Sequence, residues 1–330
     1  MNHKLQNNKM ASDTESLNRL VQKYQRLRQE IGKVIIGQDK AVESLLLSVF
    51  TGGHCLLVGV PGLAKTLMVN TLSKALGLKF SRIQFTPDLM PSDITGTEIL
   101  DENRKFRFVK GPVFANILLA DEINRTPPKT QAALLEAMQE KSVTVSGHSY
   151  PLDSPFFVLA TQNPIEQEGT YPLPEAQLDR FMLNIKMDYP SFDEEMDIVR
   201  RTTVDMDGEL EVVLSADEIM EYQSVIRRMP VPDNVVSYAV RLVSATRPDN
   251  EDNLLARKYL SWGAGPRASQ YLIMGAKTNA ALNGKFSPDR EDVNAVATEV
   301  LRHRLVRNYY AEAEGISTDS VISELKNSVK

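Results

Sequence analysis

Short apolar runs mark the first half of the chain. Residues 55–58, 117–120 and 156–160 are continuously hydrophobic, the pattern of strands buried on both faces of a parallel sheet. Residues 80–85 alternate apolar and polar, and 182–187 are strand-like. Helical spacing fills the gaps: Leu17, Leu20, Tyr24, Leu27 and Ile31 predict a helix over 13–33, capped by Ser12 or Asp13. Further helices are predicted over 38–50, 67–72, 124–140 (Leu134, Leu135 and Met138 on one face) and 175–181. Two strand pairs read as hairpins, 97–100 with 105–109 and 143–145 with 150–152. Beyond Pro190 the pattern turns helical over 192–201, 217–228, 233–246, 269–282 and 290–307, apart from a short β-branched stretch at 210–214. The expected organisation is a disordered tail (1–12), an α/β domain (13–190) and a helical domain (191–330).

The chemistry concentrates at three strand ends. Gly59-Val60-Pro61-Gly62-Leu63-Ala64-Lys65-Thr66 follows the first run, and Leu67 opens the next helix. Strand, glycine-rich turn and helix together form a phosphate-binding loop, with backbone N–H groups and the helix N-terminus facing the anion. Lys65 would reach the β- and γ-phosphates of a nucleotide, and the Thr66 hydroxyl would ligate Mg²⁺. The general pattern places glycine where Ala64 stands, and a methyl is tolerated there if φ is negative. Asp121 and Glu122 end the second run, about 60 residues on. A buried parallel strand delivers its C-terminal residues to the edge where ligands bind. Asp121 would hold the Mg²⁺ shell and Glu122 would act as general base on water. Asn163 closes the third run and would sit beside Glu122. Ile35 and Ile36, about 20 residues ahead of the loop, are equally consistent with a wall for adenine or with ordinary packing.

Composition narrows the class. The 330 residues, 42% hydrophobic and 25% charged, suit a soluble two-domain protein. A net charge of −5 argues against a dedicated nucleic-acid binder. Cys55 is the single cysteine, and His3, His54, His148 and His303 lack ligand spacing, which excludes a disulfide framework and a thiolate metal cluster. No apolar run is long enough for a membrane span, and the polar N-terminus is unlike a signal peptide, so a cytoplasmic protein is expected. Trp262 reads as a core anchor of the helical domain. Arg302, Arg304 and Arg307 read as a solvated helix face.

With these motifs assembled, the sequence resembles the MoxR family of AAA+ ATPases from about Val34 to Arg307. Residues 59–66 match a family form of the Walker A loop that carries alanine at position 64. Residues 118–125 match Walker B and 160–164 match sensor 1. Residues 169–181 match the region of the arginine finger, and 263–268 resemble sensor 2. The resemblance implies an α/β P-loop AAA+ sandwich built on a parallel sheet, with a C-terminal all-helical lid. It implies that Arg180 is a finger offered to a neighbouring subunit and that Arg267 senses the γ-phosphate, in its own or a neighbouring subunit. It further implies a homo-oligomeric, hexameric ring acting on protein clients in a chaperone-like way, often inserting a metal or cofactor. A separate partner with a von Willebrand factor A domain is expected, and the two hairpins would line the pore or face the client.

Two other classes compete. A DNA translocase would need basic hairpins, yet Arg104, Lys105, Arg107 and Lys110 share theirs with Glu98, Asp101 and Glu102. A nucleotide switch without hydrolysis would not need Glu122, Asn163 and Arg180 together.

Overall fold

Leucine-rich runs buried on both faces pair in parallel when helices connect them, and the sheet follows from that. The computed structural model describes residues 2–165, 169–203, 210–249 and 253–329, with side chains from residue 12 onward. The chain begins with α1 (Asn2–Gly32), α2 (Asp39–Thr51), β1 (Cys55–Val58), α3 (Lys65–Ala75) and β2 (Phe80–Gln84). The one-turn α4 (Pro91–Thr95) leads into β3 (Gly96–Leu100), β4 (Phe106–Lys110), β5 (Ile117–Asp121) and α5 (Pro128–Glu140). Then come β6 (Ser142–Val145), β7 (His148–Pro151), β8 (Phe157–Gln162), α6 (Glu175–Leu178) and β9 (Leu183–Lys186). Helices follow: α7 (Phe192–Thr202), α8 (Ala216–Arg228), α9 (Asp233–Ala245), α10 (Leu254–Tyr259), with β10 (Leu260–Trp262) next. The chain continues through α11 (Pro266–Leu282), α12 (Arg290–Leu301), β11 (Val306–Arg307), α13 (Tyr309–Ala313) and α14 (Thr318–Ser328).

Two compact units emerge. The first, residues 25–180 with 185–220, is organised by the sheet, whose order is β2-β5-β8-β1-β9. Its pairings are parallel, with Gln84 opposite Asp121, Ala120 opposite Ala160 and Val58 opposite Gln162. The strand ends that carry the sequence motifs therefore lie side by side. Leu56, Leu57, Leu118, Leu119, Val158 and Leu159 are at most 1% exposed and form the centre of the core. The two antiparallel hairpins, β3–β4 and β6–β7, appear where the sequence placed them. Phe108 of β4 stacks on Tyr150 of β7, with ring centroids 4.0 Å apart and planes 18° from parallel. Phe108 also meets Phe114 edge-on at 5.7 Å.

The second unit, residues 221–330 with 1–24 and 181–184, is helical. Its core draws on Leu242, Leu272, Ala276, Val293 and Ala297, each fully buried. Asp289 fixes the start of α12: its carboxylate accepts the N–H groups of Glu291 and Asp292, and Asp292 accepts the N–H of Asp289 in return.

Several expectations are corrected. α1 takes in most of the segment expected to be a disordered tail, since no glycine or proline interrupts the chain before Gly32. Residues 191–220 group with the α/β unit, not the helical one. Val213 N–H donates to the Ala75 carbonyl at 2.8 Å, and Val212 packs where a Cβ on Gly77 would stand, so 210–214 is a strap and not a strand. Trp262 is 66% exposed on β10 and anchors no core. The last long helix stops at Leu301, and the expected solvated arginines are engaged. Arg302 grips both Asp319 carboxylate oxygens, at 2.7 and 2.9 Å, and donates to the Asn184 carbonyl. Buried Arg304 donates to the carbonyls of Phe181 and Met182, and Arg307 donates to that of Ile316. No helix among the described residues is long and apolar enough to cross a membrane.

His54 gives the α/β unit a pH-dependent weakness. Val158 N–H donates to its Nδ1 at 3.0 Å, so Nε2 carries the proton and donates to the Met138 carbonyl at 3.2 Å. Burial therefore holds the ring neutral and lowers its pKa from 6.5 to about 4. Because the unfolded chain binds this proton more readily, stability is complete above pH ~6.5 and falls as pH drops toward ~4, by about 3 kcal/mol on this account. Denaturant unfolding between pH 7 and 4 should show that loss in the wild type and a shallower slope in His54→Gln.

Candidate functional site

Four elements meet at one cleft of about 350 Å³, lined by Pro61, Gly62, Leu63, Ala64, Lys65, Thr66, Leu67, Asp121, Glu122 and Asn163. The first seven belong to the turn between β1 and α3 and to the opening of that helix, whose N-terminal N–H groups are thereby presented to the cleft. Gly62 has φ +88, and a Cβ there would meet nothing within 4 Å, so the backbone and not crowding demands glycine. Gly59 lies deeper, where a Cβ would come within 2.9 Å of the Met187 Cβ. Its carbonyl accepts a short hydrogen bond from the Lys65 ammonium. Burial holds Lys65 below its ordinary pKa, while Asp121 and Glu122 oppose that shift.

Ala64 departs from the sequence expectation. It adopts φ 55 in the left-handed region, at the N-cap of α3, where a negative φ was expected. The turn geometry overrides the cost of a methyl in that conformation, about 1–2 kcal/mol per residue. Ala64→Gly should therefore raise stability by about 0.5–1 kcal/mol after the added freedom of the unfolded chain is counted, measured by chemical denaturation.

The acidic pair is held from both neighbouring strands. Thr161 of β8 donates its hydroxyl to Asp121 Oδ1 at 2.6 Å and accepts the Glu122 N–H at 2.8 Å. On the other side, Arg82 of β2 donates to Asp121 Oδ2 through Nη2 at 2.6 Å and Nε at 3.2 Å. Gln84 donates to Glu122 Oε2 at 2.8 Å, and Arg125 donates to the same oxygen at 3.0 Å. Glu122 itself sits at φ 57, where β5 gives way to a short 3-10 turn over Ile123–Arg125. Asn163 is buried, and its Oδ1 accepts the Ile165 N–H at 3.1 Å.

Lys65, Thr66, Asp121, Glu122 and Asn163 are thus brought together as the sequence proposed. Ile35 and Ile36 are not among the cleft-lining residues: Ile35 is 7% exposed in the core and extends the turn after α1. Arg180 also stands apart from the cleft, in a depression formed with Leu135, Glu136, Glu140 and Gln177, and donates to the Leu135 carbonyl at 2.9 Å. Arg267 lies exposed in the first turn of α11, in the helical unit. Sequence reading missed Arg82, Gln84 and Thr161. The alternation of 80–85 could have found the first two, because it sets Arg82 and Gln84 on one face of β2.

A parallel sheet with a glycine turn after one strand and paired acids after another defines a P-loop ATPase of the α/β class. Comparison with known proteins sharpens this. A model of the ATPase family associated with various cellular activities (AAA) matches residues 54–183, and an AAA lid domain model matches 253–325. "Chaperone MoxR1" of Mycobacterium tuberculosis is 46% identical over 302 residues, covering 91% of this chain and 80% of that protein. "Protein MoxR" of Methylorubrum extorquens is 30% identical over 300 residues, covering 85% of this chain and 86% of its own. A solved structure from Cytophaga hutchinsonii, 45% identical, superposes with a TM-score of 0.91 over 98% of each chain. The chain belongs to the MoxR family of AAA+ ATPases.

Proposed function

We propose that the chain hydrolyses ATP with Mg²⁺ in a ring of its own copies and uses the turnover to remodel, assemble or activate client protein complexes. The single observation that carries the reading is the convergence of Lys65, Thr66, Asp121, Glu122 and Asn163 on one cleft. The donor set fits the ion: a carboxylate and a hydroxyl, both oxygen ligands, line the cleft beside a loop of N–H groups. Thr66 and Asp121 would hold magnesium, which when bound neutralises charge on the phosphates.

The remaining work falls to the protein. Backbone N–H groups and Lys65 bind the triphosphate, and Asn163 orients the attacking water. Glu122 Oε2 is engaged by Gln84 and Arg125, so Oε1 takes the proton as water attacks the γ-phosphorus and the bond to the bridging oxygen breaks. Arg180 stands outside its own subunit's cleft, which supports a role on an adjacent copy's γ-phosphate. A finger supplied in that way makes a heterologous, ring-closing interface part of the mechanism. The relative named "Chaperone MoxR1" supports a protein client, and a separate partner protein and a cytoplasmic setting belong to the same reading.

Phosphate release and fluorescent-nucleotide binding test it together. Lys65→Ala should lose nucleotide binding. Glu122→Gln should keep binding but lose turnover by about 10²–10⁴-fold, and Arg180→Ala should do so by about 10³-fold or more. Mixing the Glu122→Gln and Arg180→Ala proteins should restore turnover, because some sites then combine an intact Glu122 with an intact neighbouring Arg180. If Glu122→Gln turns over like wild type, or mixing restores nothing, the proposal fails.

A further inference from the structure

Arg82 lies outside the cleft yet touches a carboxylate that lines it. β2 and β5 pair with Arg82 opposite Leu119 and Gln84 opposite Asp121, so the long Arg82 side chain lies along the strand toward the acid. It places two N–H groups on Oδ2 of Asp121, while Thr161 already donates to Oδ1. Both carboxylate oxygens are engaged, one of them by a full positive charge.

The exposures of the two partners are unequal. The Arg82 side chain is 46% exposed and that of Asp121 is 15% exposed. The guanidinium can turn into solvent with little lost burial, whereas the carboxylate is fixed by Thr161 and the strand. Solvent reaches the pair from the arginine side and screens it, so the guanidinium can be displaced. Charge around the acids adds a second constraint. Lys65 lines the cleft with the two acids, and Arg82 and Arg125 pair with those acids from beside it, so the negative charge of Asp121 and Glu122 is offset before any ligand enters. Offsetting that charge weakens the pull of Asp121 on a free divalent cation.

We infer that Arg82 is a positioning residue that screens Asp121 from free divalent cations, so that the metal enters only in company with a triphosphate. The negative charge of the nucleotide reverses the local balance, and the ion then displaces the guanidinium from Oδ2. This inference rests on reading Asp121 as the residue that holds magnesium.

The test uses Mn²⁺ as a spin probe on the nucleotide-free protein at low ionic strength, where screening is weakest. Arg82→Gln should bind Mn²⁺ on the order of tenfold more tightly than wild type, the effect of removing one charge a few ångströms from a divalent ion. Arg82→Lys should behave like wild type, and Arg82→Gln combined with Asp121→Asn should lose the gain. In parallel, the magnesium concentration giving half-maximal binding of a fluorescent ATP analogue should fall several-fold in Arg82→Gln and rise in Asp121→Asn. Circular dichroism confirms that each variant is folded. If Arg82→Gln gains no Mn²⁺ affinity while Asp121→Asn raises the magnesium requirement, the inference is overturned and the role of Asp121 stands. If the gain survives in the double variant, the ion binds elsewhere and the inference is likewise overturned. If Asp121→Asn leaves the magnesium dependence unchanged, the reading of Asp121 fails and takes the inference with it.

Discussion

Parallel pairing of β2, β5, β8 and β1 is the constraint on which the rest depends. Parallel strands finish at the same edge of the sheet, so residues about 100 positions apart in sequence become neighbours without any loop reaching for them. The pairing of Gln84 with Asp121 and of Val58 with Gln162 puts the glycine turn, both acids and Asn163 along one line. Core packing fixes that register, because a slip of one residue would set Leu118 and Leu119 against neighbours of different shape on both faces. The chemistry at the edge is therefore held by the hydrophobic core beneath it.

How much of this was legible in the sequence follows from how local each signal is. The loop 59–66 and the pair Asp121–Glu122 could be read because the residues are contiguous and sit at the end of an unmistakable apolar run. Asn163 needed only the count of strands. The contacts that tune the acids were only partly legible: alternation sets Arg82 and Gln84 on one face of β2, but they and Thr161 act across strands, and single-sequence patterning carries no information about which strand lies beside which. Ala64 was misjudged for a related reason. Its φ is set by the closure of the turn onto α3, a property of the whole loop rather than of its own side chain.

The helical unit shows the opposite kind of error. Arg302, Arg304 and Arg307 carry the charge of a solvated face, yet they serve as backbone-binding groups, satisfying the carbonyls of Phe181, Met182, Asn184 and Ile316. A guanidinium has five donors and no acceptor, so several carbonyls can share one side chain. Buried arginine in that role cannot be told from surface arginine by composition. Trp262 inverts the mistake, since a large aromatic ring was assumed to be core and lies on the surface.

The stack of Phe108 on Tyr150 has a mechanical consequence. The two hairpins leave the chain at different places, and the ring contact joins them. β6 begins directly after α5, whose first turn lies a few residues beyond Glu122. The ring contact thus joins β3–β4, with the exposed Phe106 at the start of β4, to the hairpin that continues from α5. Separating the two hairpins would therefore cost the face-to-face contact of the rings, about 0.5–1.5 kcal/mol beyond the area they bury.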